Sequence, residues 1–212
     1  MEPGFSTPEF SASLTELLHW RRDVRRFRRE PIPDTDVLDL LRIAQLAPSV
    51  GLSQPWRFMR VRSASARAAV RENFERCNTE ALNGYCGEDA TLYAKLKLSG
   101  LDDAPIQIAV FCDGNANTGR GLGRRTMSET AEYSVVLAVH TLWLAARARG
   151  IGMGWVSILD PEAIVTALNV PEGWRFIAYF CLGRPVEEHI DPELQRAGWE
   201  HRKPLEDFLV ER

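Results

Sequence analysis

Apolar and polar positions along the chain predict helices and strands in a recognisable order. Helical spacing predicts helices over about 9–22, 35–46, 64–79 and 129–149, and the last is apolar almost all round. Such a helix is expected to be buried, either in the core or under a partner subunit. Apolar runs predict strands over about 56–62, 106–112, 153–158 and 176–182. This order predicts an α+β or α/β fold with one sheet, without fixing strand direction.

Turn signals and chain length define the organisation around these elements. A length of 212 residues favours one domain over 1–212. Asp34 and Asp160 are expected to cap the helices that follow them. Residues 83–103, which begin with Asn83 and Gly84, read as an insertion or lid. The tail after Arg184 is polar and is expected to wrap over a surface.

Composition excludes several classes of function. The formal net charge is −3, so no extended basic surface for nucleic-acid binding is expected, and any site for an anion must be local. The four cysteines form no CxxC pair and the four histidines lack metal-ligand spacing, so no metal site is expected. Residues 1–10 resemble no secretion signal, and the apolar stretch 134–148 is shorter than the roughly 20 residues that span a membrane. A cytoplasmic protein without membrane contact is therefore expected.

The first candidate site is the arginine-rich segment 21–26, which reads RRDVRR. Arginine presents a planar fork of donors that matches phosphate oxygens, so Arg21, Arg22 and Arg25 predict a phosphate site. Asp23 is expected to stay ionised among these cations and could either hold an arginine in place or act as a base. The alternative is a solvated, charged helix end.

Two further segments could contribute to a site. The loop 47–56, APSVGLSQPW, is rigid and small enough to let a planar ring approach its backbone, but it could equally be a helix-to-strand turn. The segment 150–158, GIGMGWVSI, has glycines that could relieve crowding near a ligand. The spacing of these glycines is too irregular for a dinucleotide-binding motif. Ser157 is not in the sequence of a nucleophile elbow, so its hydroxyl could be an ordinary one on a strand.

Together these segments resemble the nitroreductase-like flavoenzymes. The resemblance rests on RRDVRRFRREPIP at 21–33, APSVGLSQPWRF at 47–58, APIQIAVFCD at 104–113, GMGWVSI at 152–158 and LGRP at 182–185. It covers nearly the whole chain, and the order and spacing of the motifs are more specific than any one of them. It implies a mostly antiparallel central sheet flanked by helices, in a homodimer that is completed by wrapping tails and binds FMN at the subunit interface.

Within this family the chain is most similar to the branch that consumes reduced FMN. The residues that indicate this are Asp23 where simpler members usually have Ser, YAKLKLSGLDDAP at 93–105, GLGRRTM at 121–127 and PELQRAGWEHR at 192–202. The resemblance implies that Asp23 and Ser157 are catalytic. It implies that flavin is bound by Arg21, Arg22, Asp23, Val24, Arg25, Ser49, Val50, Leu98, Ser157 and Arg202, with Ser49 and Val50 coming from the other subunit.

The reaction implied is the oxygen-dependent fragmentation of reduced FMN to 5,6-dimethylbenzimidazole and erythrose 4-phosphate, which supplies the lower ligand of cobalamin. NAD(P)H would act only indirectly, through a separate flavin reductase that provides the reduced FMN. Two alternatives remain open at this point. One is an NAD(P)H-dependent nitroreductase or flavin reductase that retains FMN, and the other is a non-enzymatic FMN-binding module.

Overall fold

The centre of the protein is a four-stranded antiparallel sheet. In a computed structural model that describes residues 6–212, the strands are β1 (Trp56–Arg60), β2 (Ile106–Asp113), β3 (Gly152–Val156) and β4 (Trp174–Gly183). Their order across the sheet is β1-β2-β4-β3, and every neighbouring pair is antiparallel. Residues 1–5, part of the stretch in which no secretion signal was expected, lie outside the described residues.

Seven α-helices surround this sheet within residues 6–212. They are α1 (Pro8–Trp20), α2 (Asp34–Ala44), α3 (Ala64–Leu82), α4 (Gly87–Lys95), α5 (Thr130–Ala148), α6 (Pro161–Ala167) and α7 (Glu193–Arg196). The predicted α+β class and mostly antiparallel sheet are therefore confirmed.

Both faces of the sheet are buried, and alternate residues of β2 show how. Ile108, Val110 and Cys112 pack into one cluster with residues of α2 and α5. Ala109 and Phe111 point the other way, into a second cluster with residues of α3 and α6. Since successive side chains of a strand point to opposite faces, a strand covered on both sides is expected to be apolar on both, as β2 is over Ile108–Cys112. Helix α5 lies in the core, as its apolar sequence predicts, although Tyr133, Val136 and Leu137 on its outer side are exposed.

The cap predictions have different outcomes. Asp160 caps α6 as predicted, because its side chain accepts the N–H groups of Glu162 and Ala163. The prediction for Asp34 is wrong: Pro33 occupies the cap position and Asp34 is the first residue of α2. The Asp34 carboxylate instead accepts hydrogen bonds from Arg60 and Arg62, which lowers its pKa to about 2. Arg60 and Arg62, which are distant from Asp34 in sequence, therefore bind the side chain that the local sequence predicted to cap the helix.

The segment 83–103 carries α4 and contacts the C-terminal tail. Tyr85 and Tyr93 stack with ring centroids 4.8 Å apart, and Trp199 packs its edge against both rings at 5.5 and 6.1 Å. The Tyr93 hydroxyl donates to the Asn78 side chain at 2.8 Å. These contacts join the predicted lid to the tail, while its function as a lid stays a prediction. No helix among residues 6–212 is both long and apolar enough to cross a membrane.

Candidate active site

The arginine-rich segment covers the free edge of β3. Helix α1 stops at Trp20, and Arg21 turns the chain into an extended path with φ −70° and ψ 117°. The Val24 N–H then donates to the Met153 carbonyl at 3.1 Å, and Asp23 pairs with Met153 in a short parallel bridge. Because β3 is the last strand of the sheet, this bridge satisfies backbone groups that an edge strand leaves open.

Two glycines of β3 make this close approach possible. A Cβ atom at position 154 would lie 2.0 Å from the Val24 carbonyl oxygen, and one at position 152 would lie 2.8 Å from Val24 Cγ2. Only a glycine at 154 leaves room for the Val24 backbone, and a glycine at 152 leaves room for the Val24 side chain. The sequence suggested that the glycines of GIGMGWVSI lie near a ligand, but Gly152 and Gly154 pack against the arginine-rich segment itself.

The Asp23 carboxylate is held at both oxygens. Oδ1 accepts the Trp155 backbone N–H at 2.8 Å, and Oδ2 accepts Arg25 Nε at 2.8 Å. Burial raises the pKa of Asp23 above its usual value, against the opposing charge of Arg25 and the two hydrogen bonds. The expectation from sequence considered the arginines alone and so omitted the largest effect. Each oxygen keeps a free lone pair, and a carboxylate of raised pKa is suited to accept a proton.

Arg21 presents an unpaired donor beside Asp23. Its guanidinium lies over the Trp143 ring, 5.1 Å from the centroid, while its Nε is buried and has no hydrogen-bond partner among the described residues. Trp143 also donates its indole N–H to the Arg22 carbonyl at 3.2 Å. A buried donor without a partner is costly unless a further acceptor binds there.

Arg22 and Arg202 add positive charge at the same place. Burial and the charges of Arg202 and Arg21 lower the pKa of Arg22, with Asp191 opposing. The Arg22 Nε donates to the Ile190 carbonyl at 2.6 Å, which anchors the side chain against the tail. The like charges of Arg21 and Arg202 next to Arg22 favour the binding of an anion there.

Arg25 joins Asp23 to the segment that carries Leu98. Its Nη1 donates to the Lys97 carbonyl at 2.9 Å, next to Leu98, while its Nε holds Asp23. Arg22, Asp23, Val24 and Arg25 also line a common cavity with tail residues that include His189 and Glu193. The structure therefore brings the arginine-rich segment, the predicted lid and the tail together.

Ser157 follows directly after β3 and is close in sequence to Trp155, which binds Asp23. The strand ends at Val156, so Ser157 is the first residue beyond it, and its side chain is exposed. It is two residues from Trp155, whose N–H holds Asp23, which corresponds to about 7 Å along a strand. Its position permits contact with a ligand above Asp23, but its catalytic role stays a prediction.

Ser49 and Val50 lie elsewhere in the same chain. The Val50 N–H donates to the Ser134 hydroxyl at 3.0 Å, near the start of α5, whereas Arg21 and Arg22 contact Trp143 near its end. Nine helical residues between the two contacts correspond to about 13 Å along the axis. The structure therefore does not gather Ser49 and Val50 with the arginine-rich segment within one chain.

Sequence reasoning missed several groups of this site. Trp143 supports Arg21 and Arg22, the Trp155 N–H and the Lys97 carbonyl orient Asp23 and Arg25, and Trp199 joins the tail to α4. Backbone donors and acceptors carry no side-chain signal, so the sequence offers nothing that points to them. Trp143, in the largely apolar sequence of α5, was the one available hint, since a buried indole N–H requires a partner.

Comparisons with known proteins place this geometry in a family. Residues 18–184 match the model of the nitroreductase family, and the chain belongs to that family. It is 55% identical over 197 residues to a 5,6-dimethylbenzimidazole synthase of Rhodospirillum rubrum, covering 93% of each chain. It is 49% identical over 195 residues to a 5,6-dimethylbenzimidazole synthase of Rhodobacter capsulatus, covering 92% of this chain and 94% of that one.

A solved structure supports the same fold. The chain superposes on oxidized iodotyrosine deiodinase bound to FMN and 3-iodo-L-tyrosine with a TM-score of 0.70 and 26% identity. The match covers 83% of this chain and 91% of that one. The predicted nitroreductase-like fold is thereby confirmed, as is the resemblance to the branch that the two synthases represent.

Proposed function

We propose that this protein is a 5,6-dimethylbenzimidazole synthase, which fragments reduced FMN with O2 and releases erythrose 4-phosphate. The product supplies the lower ligand of cobalamin. The observation that carries the proposal is the Asp23 carboxylate, fixed by Trp155 and Arg25 at 2.8 Å each beside a cluster of arginines. Identities of 55% and 49% to synthases over nearly whole chains support it.

The chain's own residues fit a flavin with a phosphate. The buried Nε of Arg21, which has no partner among the described residues, and the repulsion of Arg22 by Arg21 and Arg202 would both be relieved by a phosphate dianion. Val24, Leu98 and Arg25 would bind the flavin, with Arg25 at its pyrimidine end. Ser157 would donate a hydrogen bond to the reacting part of the ring.

The chemistry then follows from what Asp23 can do. When bound, reduced FMN supplies both the carbon skeleton and the electrons for O2. Asp23 accepts a proton from the ribityl chain where its first carbon–carbon bond breaks, and the two hydrogen bonds aim the carboxylate while that proton moves. The predicted lid at 83–103 and the tail exclude water from the site. A separate flavin reductase that uses NAD(P)H provides the reduced FMN.

The site is completed by a second copy of the chain. Ser49 and Val50 are about 13 Å along α5 from the arginine-rich segment, so a partner subunit contributes them to the flavin site. Exposed apolar side chains on the outer side of α5 and on the tail are suited to such an interface: Tyr133, Val136, Leu137, Phe208, Leu209 and Val210.

A direct turnover experiment tests the function. Purified protein is incubated in air with excess chemically reduced FMN, and the products are separated and identified by mass. The proposal predicts 5,6-dimethylbenzimidazole and erythrose 4-phosphate in equal amounts. Steady oxidation of NAD(P)H with a nitroaromatic acceptor and no benzimidazole would instead favour the nitroreductase or flavin reductase alternative.

Replacement of Arg21 tests the phosphate site. Arg21→Met keeps an apolar stem over Trp143 but removes the charged donor, so FMN affinity should fall by about 1.5–3 kcal/mol, roughly 10- to 150-fold, as for a charge-assisted hydrogen bond. Affinity for riboflavin, which lacks the phosphate, should hardly change. Titration of both flavins measures this, and Arg29→Met, which removes a cation paired with Asp103, is the matched control. Equal loss for both flavins would contradict a phosphate role for Arg21.

The dimer is tested by sedimentation at micromolar concentration. The expected mass is about twice the 23.9 kDa of the chain, because the partner contributes Ser49 and Val50 to each site. Leu137→Glu, which places a charge on the exposed side of α5, should reduce both the dimer fraction and flavin binding. A stable monomer that binds FMN normally would contradict the shared site.

A further inference from the structure

The Arg25 guanidinium connects two parts of the molecule that are far apart in sequence. Nε donates to Asp23 Oδ2 at 2.8 Å, and Nη1 donates to the Lys97 carbonyl at 2.9 Å. The Arg25 side chain is 13% exposed and the Asp23 side chain 30% exposed, so the pair is partly shielded from water. We propose that Arg25 is a positioning residue, which orients the Asp23 carboxylate for proton transfer by holding it against the segment after α4. This inference rests on the proposed function.

The Lys97 carbonyl is a fixed support for Arg25. Four residues further on, the Leu101 carbonyl accepts the buried Gln107 side-chain amide at 2.8 Å, and Gln107 in turn accepts the Tyr179 hydroxyl at 2.7 Å. Gly100 packs so closely on Phe27 that a Cβ there would lie 2.3 Å from the ring. The segment 97–101 is thereby fixed to the core of the sheet. The hydrogen bond to the Lys97 carbonyl fixes the Arg25 guanidinium, which in turn holds Asp23.

The planar fork of arginine is required for this bridge. Two donors at fixed angles reach two acceptors on different elements, which fixes the rotation of the guanidinium and therefore the Asp23 carboxylate. A lysine ammonium keeps the charge but is a flexible point donor, so it cannot hold both acceptors in the same geometry. Lysine therefore separates the contribution of charge from the contribution of position.

Several charges besides Arg25 act on Asp23 or share its cavity. Glu193 of α7 and the Cys181 thiol of β4 are coupled to Asp23 electrostatically. Other charged or titratable side chains line the same cavity: Arg22, Arg26, Glu187, His189, Asp191 and Arg196. Burial raises the pKa of Asp23, and the charge of Arg25 is the largest opposing effect. Loss of that charge should therefore raise the pKa further and move the acidic limb of product formation to higher pH, since a base must be ionised to accept a proton.

The experiment compares Arg25→Gln and Arg25→Lys with the wild type and with Arg29→Gln, which removes a nearby cation that is paired with Asp103. The protein carries aspartate labelled with ¹³C at the carboxyl carbon, and the Asp23 signal is assigned through Asp23→Asn. NMR titration follows Asp23, and single-turnover product formation is measured with saturating reduced FMN over a range of pH. FMN and riboflavin affinities are measured in parallel.

The positioning role predicts three results. The Asp23 titration moves to higher pH in Arg25→Gln and less in Arg25→Lys, and not in Arg29→Gln. Single-turnover product formation falls by about tenfold or more in both Arg25 variants, because small misplacement of a catalytic group can cost up to 100-fold. Any loss of affinity is equal for FMN and riboflavin.

A different pattern would overturn the inference. Wild-type single-turnover rates in Arg25→Lys would show that the charge of Arg25 is sufficient and that its planar geometry is not required. Loss of FMN affinity alone, with an unmoved Asp23 titration, would make Arg25 a phosphate ligand. The titration needs no turnover. A wild-type protein that forms no benzimidazole would therefore contradict the proposed function, while the titration would still decide whether Arg25 bonds to and stabilises the ionised Asp23 carboxylate.

Discussion

Asp23→Asn is expected to reduce benzimidazole formation by about 100-fold or more, as for loss of a general base. Asparagine has nearly the same size, and its carbonyl oxygen can still accept the Trp155 N–H, but its amide group cannot accept a proton or the hydrogen bond from Arg25. It also removes a negative charge beside the arginines, so affinity for FMN should hold or rise. Rapid mixing of the reduced FMN complex with O2, followed by product quantification, measures the effect.

The control for Asp23→Asn is Asp39→Asn, which removes an exposed carboxylate that pairs with Arg42 on α2, outside the site. Asp39→Asn should give the wild-type product yield, whereas Asp23→Asn should oxidise the same flavin without fragmenting it and release peroxide. A wild-type yield from Asp23→Asn would remove Asp23 from the mechanism. Ser157→Ala should bind flavin normally and affect the oxygen reaction, which is followed in the same instrument.

Gly154→Ala changes no functional side chain, but it is expected to disrupt the site by displacing the backbone of residues 23–24. The added Cβ would lie 2.0 Å from the Val24 carbonyl, so residues 23–24 must move away from β3. Overpacking of this kind typically costs about 1–3 kcal/mol, or roughly 2–10 °C in Tm for a chain of this size. Displacement of Asp23 by about 1 Å should reduce product formation up to about 100-fold. Thermal unfolding and turnover are both measured.

Gly114→Ala is the matched control for this substitution. Its Cβ would contact one atom, the Gly173 carbonyl at 3.3 Å, in a turn beyond β2 that is outside the site. Small changes in Tm and activity are expected there. If Gly154→Ala kept both the stability and the activity of the wild type, the close packing of the arginine-rich segment on β3 would not be what positions Asp23.

Local patterns were sufficient to predict most of the elements. The apolar run at 106–112 became β2 because both faces of that strand are covered, and α5 was recognisable from an apolar sequence too long for a strand. Strand direction was not accessible, because β2 pairs with β4 and β3 pairs with β4 across long separations in the chain. The prediction of the Asp34 cap was wrong for a similar reason, since Arg60 at the end of β1 and Arg62 just beyond it bind the Asp34 carboxylate.

The site was predicted in part for the same physical reasons. The clustering of Arg21, Arg22 and Asp23 follows from their adjacency in sequence and needs no fold. The groups that orient Asp23 do need the fold: the Trp155 N–H comes from β3 and the Lys97 carbonyl from the segment after α4. The pKa of Asp23 also depends on burial, which neighbouring residues in the sequence do not reveal.

The most direct test of the proposed function follows one carbon atom. FMN labelled with ¹³C at ribityl C1′ is reduced, mixed with the protein in air, and the product is examined by NMR and mass spectrometry. Breakage of the bond between C1′ and C2′ predicts 5,6-dimethylbenzimidazole labelled only at C2, together with unlabelled erythrose 4-phosphate. Recovery of intact labelled FMN, with steady NADH oxidation by a nitroaromatic acceptor and no benzimidazole, would contradict the account.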